Sequence, residues 1–150
     1  KPSGEQPSVA RVLMDLLDLR RGIMVELLRQ TLTKLPAGGT ANARAAMARA
    51  WAARGDSRQF ILEDMFVMRA MVEAAKFFPA LWLLNRLTSI YLDIARQFHA
   101  AMPAPEDYLT TFSAFFDAVD AGHNDKAIDV MSAYMARIDG RVTVLLQAMA

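Results

Sequence analysis

Asp64 is the residue of this chain best placed to do chemistry. It is a buriable acid in an otherwise greasy run, Phe60–Leu87, FILEDMFVMRAMVEAAKFFPALWLLNRL. Met68 and Met71 stand four and seven residues further on. Residues three and four apart share a helix face, so the carboxylate and the two thioethers project together. A carboxylate facing thioethers is either a pocket group that meets a ligand or a solvated or capping acid near a helix start. Spacing leaves both open.

Other reactive groups are sparse. The histidines are His99, near a helix end, and His123, in a turn, and they share no helix face. Such positions favour solvated imidazoles and no cage built on both. There is no cysteine, which removes disulfides and thiolate metal sites. Zinc-protease spacing, P-loop, GxGxxG and nucleophile-elbow patterns are missing, and no acid–base pair stands out. The expectation is a binding protein with no catalytic residues, no metal and no cofactor.

The positioning elements are helices. A length of 150 residues fits one domain with a sizeable core. Charged residues are 22% and the net charge is +1, too balanced to make this segment a nucleic-acid binder. No apolar run is long enough to span a membrane and no secretory signal shows, so a cytoplasmic, non-membrane protein is expected. Residues 1–8 read as linker and 9–150 as the helical domain. The chain starts at Lys1, not methionine, which leaves a missing N-terminal domain open.

Apolar residues at three- and four-residue steps predict a helix over Val9–Leu35, capped by Ser8 and stopped by Pro36-Ala37-Gly38-Gly39. Gly22 inside it asks for a close helix contact or a ligand. An alanine-rich helix over Thr40–Arg54 has Thr40 as a cap, Met47 and Trp51 as anchors, and Gly55 as a left-handed stop. Asp56 or Ser57 caps the central helix, which runs to Phe77 or Phe78, and Pro79 suits the first turn of the next. That fourth helix carries Leu81, Trp82, Leu84, Leu87, Ile90, Tyr91, Ile94 and Phe98 and ends before Pro103. A fifth over Pro105–Ala121 has Glu106 and Asp107 in its first turn. After a turn at 121–124, a last helix reaches about Gln147, and Gly140 can bend it. The fold class expected is all-α: an antiparallel bundle of about six helices around a central cavity.

Three local patterns together resemble a known family. LLDLRRGIM (16–24), EDMFVMRAMVEAAKFFPALWLLNRL (63–87) and FSAFFDAVDAGHNDKAIDVMSAYM (112–135) are similar, in order and spacing, to the C-terminal effector-binding (FCD-type) domain of the FadR subfamily of GntR transcription regulators. The likeness runs from about Val9 to Leu146. Many members bind a divalent metal through one aspartate and three histidines. Residue by residue, the aspartate falls on Asp64 and the histidines on Met68, Phe112 and Tyr134. The family's "GNP" becomes Phe77-Phe78-Pro79, and Met24 stands where many relatives carry glutamate. One carboxylate without nitrogen partners makes a poor transition-metal site.

The resemblance therefore implies a metal-free cavity, as in the family's acyl-CoA-responsive member. Arg20, Met24, Asp64, Met68, Met71, Phe112 and Tyr134 would line it and take a small apolar or acyl-type effector. Arg20 would pair with Asp64 or meet a carbonyl or carboxylate of the ligand. The resemblance also implies a homodimer and an N-terminal winged-helix domain that binds operator DNA. Two other readings stand beside it: the ligand-binding domain of another helical regulator class, such as a TetR-like one, and a solid-cored interaction module without a ligand.

Overall fold

The computed structural model describes residues 4 and 6–148. Part of the expected linker, and the last two residues of the expected domain, lie outside the described residues. All regular structure among the described residues is helical: α1 (Val9–Lys34), α2 (Ala41–Ala52), α3 (Ser57–Ala74), α4 (Phe78–Phe98), α5 (Tyr108–Asp120) and α6 (Asn124–Ala148), with a 3-10 turn at His99–Ala101. No described helix is long and apolar enough to cross a membrane.

The helix ends follow from local chemistry. Ser8 accepts the Arg11 amide at 3.2 Å and opens α1. Leu35 is already extended, as a residue before proline must be, so α1 stops at Lys34. Asp56 accepts the amides of Arg58 and Gln59 and caps α3. The expected Thr40 cap is not made; its hydroxyl donates instead to Asp120 at 2.8 Å, which ties α2 to the end of α5. Gly55 does not take the left-handed conformation expected of it, because α2 has already ended at Ala53.

α3 and α5 end in the same way. Gly122 (φ 77) is left-handed after α5, and the His123 amide donates back to the Ala118 carbonyl at 2.8 Å. After α3 the left-handed residue is Lys76 (φ 51), with Phe77 donating to Val72 at 3.2 Å and Lys76 to Glu73 at 3.0 Å. Both are Schellman closures, but one is built on a residue with a Cβ. This is why α3 stops at Ala74, short of the expected Phe77 or Phe78. Phe77 packs with Val72, Ala80 and Leu84, which supplies the apolar contact such closures use.

α5 begins later than expected, at Tyr108, so Glu106 and Asp107 precede its first turn. Asp107 instead accepts from Arg137 of α6 at 2.8 Å. α6 runs without interruption through Gly140.

Packing sets the frame of the site. α2 lies on α3, α3 on α4, and α6 on both α5 and α1. The main core joins Leu28 and Leu32 of α1, the buried alanines of α2, Met71 of α3, and Phe115 and Phe116 of α5. Met47 and Trp51 pack against it from α2, as expected of anchors. Ile94 and Phe98 keep their place in α4, but their side chains lie outside the described residues. The close helix contact expected at Gly22 is not made: a Cβ added there would meet nothing within 4 Å.

Candidate functional site

A cavity of about 550 Å³ lies between α1, α3, α4, α5 and α6, with Met102, Pro103 and Pro105 on its edge. That volume is of the size that holds a small organic ligand. α2 contributes no lining residue, so it backs the site from outside rather than enclosing it. All seven residues singled out in the sequence meet here: Arg20 and Met24 from α1, Asp64, Met68 and Met71 from α3, Phe112 from α5 and Tyr134 from α6.

The walls are mostly apolar. Seven of the chain's ten methionines line the cavity. Methionine is unbranched and polarisable, so such a wall adapts to irregular ligands. An aromatic cluster closes the α5 side. Tyr108 meets Phe60 edge-on at 4.9 Å and Phe112 at 4.6 Å, and Phe112 meets Tyr134 edge-on at 5.3 Å. Trp51 stacks on the far face of this cluster, 6.1 Å from Tyr108.

Asp64 is the acid of the cavity. The Tyr108 hydroxyl donates to its Oδ1 at 2.7 Å. Burial pushes the carboxyl up to about 6, and the tyrosine hydrogen bond offsets only part of that. The surrounding phenols feel the same place. Tyr91 of α4 is pushed up to about 12 by burial and then by the charge of Asp64, and Tyr134 and Tyr108 are raised for the same two leading reasons. The alternative of a solvated or capping acid does not describe Asp64, since the α3 cap is Asp56.

Arg20 does not pair with Asp64. Its Nη2 lies 2.8 Å from Oδ1 of Asp139 on α6, and the Asp139 side chain is only 4% exposed. Arg21 reaches the other Asp139 oxygen at 3.4 Å and also Asp18 at 3.3 Å. Burial raises the Asp139 carboxyl, against the opposing pull of Arg20 and then Arg21. The Arg20 guanidinium also lies 5.1 Å from the Tyr91 ring centre, in cation–π range. Its Nε is buried without a partner.

Three members of the site were not singled out in the sequence: Asp139, Tyr91 and Tyr108. The signal was present for each. Asp139 falls four residues after Met135 on the buried stripe of α6, and Tyr108 falls four before Phe112 on that of α5. Tyr91 falls four after Leu87 on the cavity side of α4. A polar group in step with an apolar stripe must find a partner.

Among the described residues, no three histidine, aspartate or glutamate side chains group as a metal site. Near Asp64, the positions of Met68, Phe112 and Tyr134 offer a thioether, a phenyl and a phenol to the cavity, not imidazoles. His123 is exposed, and His99 is half-buried with Nδ1 3.2 Å from the Arg96 carbonyl.

Compared with known proteins, the chain matches no family model, no curated protein and no solved structure.

Proposed function

We propose that this chain is a ligand-sensing domain of the kind carried by GntR-family, FadR-subfamily regulators, with a small apolar or acyl-type effector held in a metal-free helical cavity. The observation that carries the proposal is convergence. Seven residues chosen on helical spacing and family likeness, from three stretches of sequence, line one apolar cavity of about 550 Å³. In this reading the helices form a bundle around the effector, in the manner of the family's effector domains. The protein is a cytoplasmic homodimer with no catalytic role. A winged-helix domain N-terminal to this chain contacts operator DNA. Effector binding changes DNA affinity only in so far as the effector binds the two arrangements of the dimer unequally.

Native mass spectrometry of the purified chain, before and after denaturation, tests the reading. A small-molecule mass released on denaturation supports it. A ligand-free protein whose melting temperature is unmoved by acyl-CoA and free fatty-acid series counts against it, and a stoichiometric bound metal contradicts the metal-free cavity.

One observation favours a second reading, a helical dimerisation or interaction module. Leu19 is 61%, Phe78 68% and Trp82 64% exposed. Leu19 lines a groove formed by α1 and the start of α4, with Ile23, Phe77, Ala80 and Leu83 among others, and Phe78 and Trp82 belong to the same first turns of α4. If association rather than sensing is the function, Trp82→Glu abolishes self-association in sedimentation while filling the cavity changes nothing.

A further inference from the structure

The charges at the cavity are unequally served. Arg20 faces Asp139 at 2.8 Å, and Arg21 divides itself between Asp139 and Asp18. That cluster of two arginines and two aspartates is balanced within itself. The unpartnered Arg20 Nε is closed off from solvent and offers no surface to an incoming group. Arg141 also lines the cavity but is exposed, so water already hydrates it.

Asp64 is different. Its one hydrogen-bond donor among the described residues is a neutral hydroxyl, that of Tyr108, on Oδ1. No arginine or lysine forms an ion pair with it there, although ion pairs are plentiful elsewhere on the chain. It borders the cavity, and Oδ2 is not closed off as the Arg20 Nε is. An uncompensated carboxylate on an apolar wall attracts a cation and repels a second anion. Three phenol-bearing residues, Tyr91, Tyr108 and Tyr134, surround the same acid. Aromatic faces and phenol oxygens both suit an ammonium group.

We infer that the ligand is a cationic amphiphile, with a protonated amine on Asp64 and an apolar body among the methionines. This rests on the ligand-sensing reading above, keeps its apolar ligand body and puts an amine in place of the acyl head group. The apolar body is common to acyl-type and amine ligands. The head group separates them, because a carboxylate would bring a second negative charge to Asp64.

The experiment uses three probes of equal chain length, n-decylamine, 1-decanol and decanoate. Each is titrated calorimetrically into the full chain at pH 7.5, below its micelle concentration, and into Asp64→Asn. Decylamine should bind at least about tenfold tighter than decanol, with decanoate weakest, since an opposite charge beside a carboxylate typically counts for a factor of this order. Asp64→Asn should remove the preference for the amine, bringing decylamine close to decanol in affinity. Decanoate binding as tightly as decylamine, or an amine preference that survives Asp64→Asn, overturns the inference. Equal binding of all three overturns it and leaves the apolar cavity standing as a ligand site. No binding by any of them overturns both. Should Asp64→Asn fail to fold by circular dichroism, the order of the three probes on the unsubstituted chain decides.

Discussion

Arg20 and Asp139, 119 residues apart in sequence, are joined by a 2.8 Å charge-assisted hydrogen bond that ties α1 to α6 along one wall of the cavity. The carboxylate is buried and the guanidinium nearly so. Removing one partner of such a pair leaves the other charge stranded, at a cost of about 3–5 kcal/mol. Asp139→Ala should therefore lower the unfolding free energy by about that amount in urea titrations. The double variant Arg20→Leu, Asp139→Leu should recover most of the loss, because two apolar side chains replace a costly pair. A double variant as unstable as the single one would mean that the pair does more than neutralise itself.

Asp64 makes the opposite contribution. Its carboxyl titrates at about 6 in the folded chain, against an ordinary value of 3.8. Between those values the folded state holds the proton and the unfolded state does not, so stability falls as pH rises through this window. The penalty is absent below 3.8 and complete above 6. Asp64→Asn should consequently stabilise the protein at pH 7.5 by about 2–3 kcal/mol, because raising a carboxyl pKa tenfold in acidity costs about 1.4 kcal/mol. Near pH 3.5 the substitution should be close to neutral. A variant equally or less stable than the parent at pH 7.5 would show that Asp64 is not desolvated as described.

The closure of α3 offers a gain of a different kind. Lys76 occupies a left-handed position (φ 51) that Gly122 fills after α5 (φ 77). A side chain there costs about 1–2 kcal/mol, and glycine, which is freer when unfolded, returns about half of it. Lys76→Gly should raise the unfolding free energy by about 0.5–1 kcal/mol. Gly122→Ala should lower it by a similar amount. Thermal melts of the two variants moving in the same direction would contradict this account of the two helix ends.

Much of the fold was legible because the sequence punctuates itself. Ser8, Pro36, Asp56, Pro79 and Gly122 sit where helices begin or end, and apolar residues keep the helical period between them. Misplaced boundaries had local causes. Lys76, lacking the usual glycine, hides the end of α3, and Asp107 spends its carboxylate on Arg137 rather than on a helix dipole. The site was legible in part. Helical spacing and family likeness pointed to seven residues that do converge, but which charge meets which is a matter of tertiary contact. Asp64 lies in α3 and Asp139 in α6, and nothing in their spacing says which one Arg20 will choose. Thr40 shows the same limit: a good capping residue by type, it finds a better partner in Asp120.

The central claim is that the cavity of about 550 Å³ holds an apolar ligand body. The most direct measurement is the affinity of a homologous n-alkyl series of fixed head group, from about six to about fourteen carbons, for the full chain and for Met68→Trp. Each buried methylene is worth about 0.8 kcal/mol, so affinity should rise about fourfold per carbon until the cavity is full and then level off. Met68→Trp should fill part of the cavity and bring the plateau to a shorter chain. Affinity that does not change with chain length, or a plateau unmoved by Met68→Trp, would contradict the cavity as the binding site.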